Sequence, residues 1–293
     1  MKISTALEHG MKIAGVDARE SARMLKKAGF DGVDLAICHD QEDPKKILTK
    51  EWADVVYEKA EAIRAEGLEI AQCHLPYYPG HIDLPVDNTF RGYEEVWMEA
   101  MLHTLRIAHE VGATVAVVHP LTIMGEPEGT ILGNIEHFKK YVPALEKYGI
   151  RLAVENVFSR RRGKYVDGYC GRTEELLAII NGVDSEYVGA CIDTGHARIF
   201  RLNQGNMARA IDKKLFALHV NGNAGGDEHN IPFTFAGGAE RTDYPAFCRA
   251  LKAIEFRGYM NLELGNGRLP AIAAQPYLDL AAKIARALAD MAE

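Results

Sequence analysis

The chain has 293 residues, of which 47% are hydrophobic, so it can bury a large core in one large domain or two ordinary ones. The formal net charge of −7 argues against broad, nonspecific attraction to nucleic acid or anionic lipid. Five cysteines without CxxC pairing or disulfide-framework spacing indicate a reduced, cytoplasmic protein. No apolar run is long enough to cross a bilayer, and the N-terminal residues lack a signal-peptide core.

Strand, loop and helix patterns alternate along the sequence. The predicted strands are short apolar segments, residues 2–7, 32–37, 68–73, 114–118, 150–154, 188–192, 215–220 and 259–264. The predicted helices are amphipathic segments, residues 17–28, 51–66, 88–111, 134–148, 173–181, 206–213, 244–255 and 277–291. Several of these helices are followed by glycine, the usual C-terminal stop.

Eight strands alternating with eight helices, without a linker or a change of composition, predict an α/β fold. We expect a single (β/α)₈ TIM-barrel domain over residues 1–293. A doubly wound sheet is the alternative, but it usually carries a glycine fingerprint, and no G-x-G-x-x-G follows the first strand. In a barrel of this kind the active site lies where the strands run into the loops that follow them.

Metal-binding residue types stand at the ends of strands three to eight or in the next loop. They are His74, His119, Glu155 with Asn156, Asp193 with His196, His219 with Asp227 and His229, and Glu263. Taken alone, Asp193 fits equally well as the cap of a helix that carries His196 on its surface. Taken together, converging carboxylates would repel one another unless protons or a cation neutralised them, which favours a divalent metal. Histidine and carboxylate ligands suit zinc, manganese, cobalt, iron or magnesium.

Seven short strings at these strand ends resemble the xylose isomerase-like superfamily of sugar phosphate isomerases and epimerases. The strings are CHLPY from Cys73, VHP from Val118, VEN from Val154, CIDTGH from Cys191, LHV from Leu218, DEH from Asp227 and LE from Leu262. Each string is short, but the seven occur in the right order and span most of the predicted barrel.

In the isomerase and epimerase branch four residues bind one divalent metal. The resemblance assigns that role to Glu155, Asp193, His219 and Glu263. It implies that the metal binds neighbouring oxygens of an α-hydroxy ketone or aldehyde, acidifies the adjacent C–H bond and stabilises the enediolate. Glu155 and Glu263 would move the proton from opposite faces of the substrate. The side chains expected to bind this sugar or sugar phosphate are His74, His119, Asn156, His196 and Arg198.

The same superfamily contains the apurinic endonuclease IV branch, in which nine ligands hold three zinc ions. All nine residue types occur here, because His74, His119, His196, Asp227 and His229 add to the four ligands above. The acidic chain and the missing Arg-containing run after strand seven favour an isomerase or epimerase with one ion. A multinuclear phosphodiesterase is the alternative, and dehydration of an inosose is another reaction of the superfamily. The full ligand set disfavours a barrel that only binds sugar or metal.

Two loop features bear on the substrate. The predicted loop after strand five is rich in cations, namely Arg160, Arg161, Arg162, Lys164 and Arg172. Such a cluster could hold a phosphate, a carboxylate or a nucleic-acid backbone, although most of its members fit a solvated loop or a subunit contact. Tyr77 and Tyr78 are candidates for the pocket wall, because sugars pack against aromatic rings. Barrels of this kind often associate, so a homo-oligomer is compatible with the sequence.

Overall fold

The computed structural model describes residues 1–39, 43–77, 94–121, 127–161, 163–234, 242–265 and 267–293. Eight parallel strands build the predicted barrel, and each predicted strand is confirmed to within two residues at either end. These strands are β1 (Ile3–Ala6), β2 (Gly32–Ala36), β3 (Glu69–His74), β4 (Val115–Val118), β5 (Arg151–Glu155), β8 (Val188–Asp193), β9 (Leu215–His219) and β10 (Met260–Leu262). Two further strands, β6 (Phe158–Arg161) and β7 (Lys164–Asp167), form a separate antiparallel hairpin.

The barrel sheet runs in the order β10-β1-β2-β3-β4-β5-β8-β9, and neighbouring strands are parallel. Its two ends, β9 and β10, meet at a seam made by a single bridge between Val220 and Leu262. The Val220 N–H donates to Asn261 (2.8 Å), and the Glu263 N–H donates to the Val220 carbonyl (3.2 Å). The barrel is therefore nearly closed, and it closes beside His219 and Glu263.

The described residues include twelve α-helices that surround the barrel or connect its strands. They are α1 (Leu7–Ala14), α2 (Ala18–Ala28), α3 (Pro44–Ile47), α4 (Lys50–Ala65), α5 (Glu94–Glu110), α6 (Pro127–Lys139), α7 (Val142–Tyr148), α8 (Thr173–Val183), α9 (Thr194–Ile199), α10 (Gln204–Ile211), α11 (Tyr244–Ala253) and α12 (Ala271–Met291). The predicted helices therefore exist, while α1, α3 and α9 were not predicted.

Two predicted helices have the wrong bounds. Residues 134–148 belong to two helices, α6 and α7, because Pro143 in the first turn of α7 has no N–H to continue an earlier helix. The last helix begins at Ala271 rather than at residue 277, because the alanine-rich residues 271–275 favour helix. Pro276 lies inside α12 and does not mark its start. For the predicted helix 88–111, residues 88–93 lie outside the described residues.

Local sequence signals explain where the helices start and stop. Asp17 caps α2 by accepting a hydrogen bond from the Glu20 N–H, and Asp243 caps α11 by accepting from Ala246 N–H (2.9 Å each). Helix α2 ends at Gly29, whose φ of 102° lies in the left-handed region that glycine adopts without steric cost. Caps of this kind fix the residues at which these helices begin and end.

Side chains that point into the barrel form two groups with different chemistry. Along β5, Leu152 and Val154 pack in the large core shared with the helices, whereas Ala153 belongs to a separate interior cluster. We call that cluster the apolar plug; its members are Val115, Val117, Ala153, Cys191, Phe216 and Ala217. The second group, which we call the polar network, consists of buried, hydrogen-bonded side chains, Ser4, Asp34, Gln72 and Asn261.

All five cysteines are free thiols, and four of them are buried. Among the residues described above, no helix combines the length and the apolar character needed to span a membrane.

Candidate metal centre

The carboxyl ends of neighbouring strands bring the four predicted metal ligands together. Strand β5 ends at Glu155, β8 at Asp193 and β9 at His219, and these strands are adjacent in the sheet. Glu263 follows β10 directly, across the seam from β9. One ligand atom from each of the four residues lies within 4.8 Å of the others, a spacing that one cation can bridge.

The atoms that face one another in this cluster lack ordinary partners. His219 Nδ1 lies 3.3 Å from Glu155 Oε2 and 3.2 Å from Glu263 Oε2. All three atoms are buried, and among the described residues none of them makes a hydrogen bond. Buried polar atoms without partners carry a desolvation cost, which a bound cation would remove. The donor set therefore fits a divalent metal held by histidine and carboxylate groups.

Asp193 lies in the candidate metal cluster and also caps a helix, so the two roles suggested for it by the sequence are compatible. Its Oδ1 accepts from the His196 N–H (2.6 Å) and caps α9, while its Oδ2 accepts from Asn221 Nδ2 (2.7 Å). The alternative that placed His196 on the helix surface is wrong, because this residue is only 6% exposed. Gly195, between Asp193 and His196, leaves room for the Asn221 side chain, since a Cβ at this position would lie 2.0 Å from Asn221 Oδ1.

Two histidines approach the same glutamate from the other side. His119 Nε2 lies 3.3 Å and His74 Nε2 3.6 Å from Glu155 Oε2, and the three residues form a second group able to hold a metal. Tyr77 stacks on the His119 ring with centroids 4.6 Å apart. Tyr77 thus borders the site as a pocket residue would, whereas Tyr78 lies outside the described residues.

A third group lies towards the loop after β9. Asp193, His196 and His229 are close enough to share an ion. Asp227 Oδ1 lies 2.7 Å from His229 Nε2 and 3.4 Å from His196 Nε2. His229 Nδ1 is in turn 3.4 Å from Glu263 Oε2. All nine positions predicted for a multinuclear site therefore surround one mouth.

Charge and burial shift the protonation of these groups in opposite directions. Burial acts to raise the pKa of Glu155, but the charges of His219 and His119 outweigh it and hold the value well below its usual range. Burial raises the pKa of Asp193 to about 6. Burial acts to lower the pKa of His219, but the carboxylates around it, those of Glu263, Glu155 and Asp34, raise it well above the usual value. His219 therefore holds a proton near neutral pH that a metal would have to displace.

The other two predicted substrate-binding residues are placed differently. Asn156 uses its whole amide on the backbone of β8: Nδ2 donates to the Asp193 carbonyl (3.0 Å), and Oδ1 accepts from the Asp193 N–H (2.7 Å). This structural role competes with the predicted contact to substrate. Arg198 lies on α9, and its buried Nε has no hydrogen-bond partner among the described residues. Binding of substrate by either residue stays a prediction.

The cation-rich segment after β5 is a hairpin rather than the predicted loop. Strands β6 and β7 pair from Phe158↔Asp167 to Arg161↔Lys164, while Arg162 lies outside the described residues. The hairpin supports the site, because the Phe158 ring packs edge-on against His196 (5.0 Å between centroids) and the Tyr165 hydroxyl accepts from the Asp227 N–H (3.0 Å). Arg172 is paired with Asp167 (2.5 Å), so this cation is already neutralised within the chain.

Two residues around the centre are not among the site residues predicted from the sequence. Asp34 lies inside β2, and its Oδ2 is 3.3 Å from His219 Nε2. Asn221 orients Asp193, and its carbonyl accepts from the Tyr244 hydroxyl (2.9 Å). The signal for Asp34 was a charged residue between two apolar ones in a predicted buried strand, a placement that usually requires a partner.

Comparison with known proteins identifies the family. The profile described as xylose isomerase-like TIM barrel matches residues 22–290. An uncharacterised protein of Methanocaldococcus jannaschii is 28% identical over 185 residues, which are 58% of this chain and 57% of that relative, so the match spans little more than half of its length.

Solved structures share the fold over the whole chain. A D-psicose 3-epimerase determined in the presence of D-fructose is similar with a TM-score of 0.71 at 15% identity, covering 100% of both chains. A D-tagatose 3-epimerase-like protein has a TM-score of 0.68 at 19% identity and covers 98% of this chain and 99% of its own. At these identities the likeness is one of fold, whereas the family profile covers most of the sequence. The chain therefore belongs to the xylose isomerase-like TIM-barrel family.

Proposed function

We propose that the protein is a metal-dependent sugar isomerase or epimerase that acts on an α-hydroxy ketone or aldehyde. The observation that carries this proposal is the convergence of two carboxylates on one histidine: Glu155 Oε2 and Glu263 Oε2 both lie within 3.3 Å of His219 Nδ1. All three atoms are buried, and none of them makes a hydrogen bond among the described residues. Sugar epimerases with the same fold add support by analogy.

Glu155, Asp193, His219 and Glu263 would hold one divalent ion. When bound, such an ion polarises the substrate carbonyl and so acidifies the neighbouring C–H bond. Zinc, manganese, cobalt and magnesium all fit ligands of this kind. The ion's identity is a matter for metal analysis of the purified protein.

Glu155 and Glu263 are the proposed pair that removes and returns the proton. Their surroundings differ, since the Glu155 side chain is 1% exposed and that of Glu263 is 30% exposed. Different environments are what allow one carboxylate to accept a proton while the other donates one. His74, His119 and His196 border the same mouth and are proposed to bind substrate oxygens.

The experiment is solvent isotope exchange. The protein, supplied with Mn²⁺, is incubated in D₂O with a panel of free and phosphorylated ketoses. We expect deuterium at the carbon next to the carbonyl, together with the epimer or the aldose, for at least one member of the panel. A protein that binds Mn²⁺ but exchanges no hydrogen into any of these sugars would contradict the proposal.

A second candidate, a phosphodiesterase with up to three zinc ions, is favoured by one observation. Two additional groups, His74–His119–Glu155 and Asp193–His196–His229, are each compact enough for an ion. The net charge of −7 weighs against a nucleic-acid substrate. Three ions per chain and cleavage of an oligonucleotide with an abasic site would replace the isomerase proposal; one ion and no cleavage would remove this candidate.

Two further features stay predictions. The cytoplasmic location is supported by five free cysteines. Association into a homo-oligomer is compatible with the fold and is readily measured by light scattering.

A further inference from the structure

A carboxylate lies below the metal cluster, inside the barrel, where the proposed reaction does not require one. Asp34 is 4% exposed and stands between Val33 and Leu35, which are fully buried. Burying a charged group is costly unless it is paired and hydrogen-bonded. Asp34 is absent from every compact group of candidate ligands among the described residues, so metal binding does not explain its presence.

Two amide donors converge on one oxygen of this carboxylate. Gln72 Nε2 donates to Asp34 Oδ2 (2.7 Å), and Asn261 Nδ2 donates to the same oxygen over 3.3 Å. Ser4 Oγ donates to Asn261 Oδ1 (2.7 Å), which turns the amide nitrogen of Asn261 towards Asp34. His219 Nε2 lies at ion-pair distance from the same oxygen (3.3 Å) and makes no hydrogen bond among the described residues, so Asp34 is the carboxylate that this nitrogen faces. The polar network therefore holds Asp34 in one place, directly beneath His219.

The two nitrogens of His219 face opposite partners. Nδ1 lies 3.2–3.3 Å from the carboxylates of Glu263 and Glu155, and Nε2 faces Asp34. A neutral imidazole carries its proton on one nitrogen and its lone pair on the other, and only the lone pair can bind a metal. A proton on Nδ1 would prevent this nitrogen from binding the metal, whereas a proton on Nε2 leaves the Nδ1 lone pair free to bind it.

We propose that Asp34 is a positioning residue that holds the His219 proton on Nε2 and so presents the Nδ1 lone pair to the metal. This inference rests on the proposed metal site. A carboxylate behind a ligating histidine fixes the ring orientation and makes the coordinating nitrogen a better donor, and loss of such a partner typically weakens metal binding 10–100-fold. Gln72, Asn261 and Ser4 act one step further out, because they fix the carboxylate itself.

Three variants separate this role from a general effect on folding. Asp34→Ala removes the acceptor, and Asp34→Asn keeps an oxygen acceptor of the same shape but removes its charge. Ser21→Ala is the matched control, since it also deletes one buried serine hydrogen bond, to the Leu7 carbonyl, but lies outside the polar network. Folding is checked for each by circular dichroism and thermal unfolding, and Asp34→Asn keeps the test valid if Asp34→Ala does not fold.

The first readout is the affinity for Zn²⁺ alone, measured by competition with a chromophoric chelator. We expect Asp34→Ala to bind about 10–100-fold more weakly than the wild type. Asp34→Asn should fall in between, and Ser21→Ala should match the wild type. Equal weakening by Asp34→Ala and Ser21→Ala, or no weakening by a folded Asp34 variant, would overturn the inference.

The second readout is the coordination of His219 in the ¹¹³Cd²⁺-loaded protein labelled with ¹⁵N-histidine. In the wild type we expect cadmium coupling to Nδ1 of His219 and a slowly exchanging proton on Nε2. In the Asp34 variants we expect faster exchange of that proton or a second coordinated species. Coupling through Nε2 in the wild type would overturn the inference.

The outcomes also separate this inference from the function it rests on. A wild type that binds neither Zn²⁺ nor Cd²⁺ contradicts the proposed metal site and this inference with it. Normal metal binding with no sugar turnover contradicts the proposed reaction alone. Asp34 variants that bind metal like the wild type contradict only the role of Asp34.

Discussion

The two halves of the barrel interior are equally buried but chemically opposite. Strands β4, β5, β8 and β9 contribute the apolar plug, whereas β10, β1, β2 and β3 contribute the polar network. Each group of four strands is contiguous in the sheet order, so the interior is divided lengthwise. The seam between β9 and β10 marks one boundary, and the metal cluster lies beside it.

This difference indicates that one half of the interior stabilises the fold and the other supports the candidate metal site. Apolar side chains stabilise the fold simply by leaving water, at about 25 cal/mol per Å². Buried polar side chains gain little net stability, because they exchange hydrogen bonds with water for hydrogen bonds with protein. The polar half therefore needs a reason other than stability, and its contact with His219 supplies one. On this account the plug carries the fold and the network serves the site.

The largest effect should come from breaking the site while leaving both halves intact. Glu155→Gln and Glu263→Gln keep the shape of the side chains but remove the groups proposed to move the proton, so turnover of the identified sugar should fall about 10⁴-fold. That loss corresponds to roughly 5 kcal/mol of transition-state stabilisation. Steady-state kinetics measure it, with Glu174→Gln on the exposed face of α8 as a control that stays active. Full activity in either site variant would remove that residue from the chemistry.

Breaking the apolar half should affect stability and not the site. Phe216 is the largest side chain of the plug, so Phe216→Ala should lower the free energy of unfolding by about 3–5 kcal/mol. Urea unfolding of the metal-free protein measures this loss. The affinity of the folded variant for Zn²⁺ should stay that of the wild type. A folded Phe216→Ala protein with strongly weakened metal binding would show that the two halves are not separable.

The pH dependence of metal affinity tests the cluster itself, because His219 and Asp193, at the ends of β9 and β8, exchange protons. In the metal-free protein the pKa of His219 is raised well above its usual value, so this ligand must release a proton to bind metal. Affinity for Zn²⁺ should therefore rise with pH, about tenfold per unit for each proton released. Below about pH 6 the slope should steepen, because Asp193, whose pKa is raised to about 6 by burial, is then protonated as well. Titrations between pH 5.5 and 8 measure this, and a flat profile would contradict it.

The smallest effect should come from trimming the polar half at its far end. Ser4→Ala deletes one buried hydrogen bond, so the free energy of unfolding should fall by only about 0.5–1.5 kcal/mol. Thermal unfolding beside Phe216→Ala gives the comparison directly. A loss as large as that of the plug variant would mean that the network carries the fold as well.

The strands and the convergence of the four proposed ligands could be predicted because each leaves a local mark. A strand of the barrel is a short apolar run, and Glu155, Asp193, His219 and Glu263 interrupt or follow such runs at the same point. Helix α1 was missed because Glu8, His9 and Gly10 in one short segment weaken its apolar period. The hairpin was not predicted because a segment so rich in cations is typical of a solvated loop. Its structure depends instead on the pairing of β6 with β7.

The support behind the ligands could not be predicted from strand ends. Asp34 lies inside β2, and its importance depends on Gln72, Asn261 and His219, which reach it from three other strands. Asn156 is the converse case, a strand-end residue whose side chain has a structural role. Its position beside Glu155 suggested a substrate contact, whereas its amide is engaged by the neighbouring strand. Such roles depend on which strands are neighbours, and only the closed sheet reveals that.

The most direct test of the whole account is anomalous diffraction from crystals soaked in Mn²⁺. We expect one anomalous peak at the barrel mouth, within about 2.0–2.4 Å of ligand atoms from Glu155, Asp193, His219 and Glu263, with Nδ1 as the coordinating atom of His219. An absent peak, or a peak bound by other residues while these four point away from it, would contradict the account.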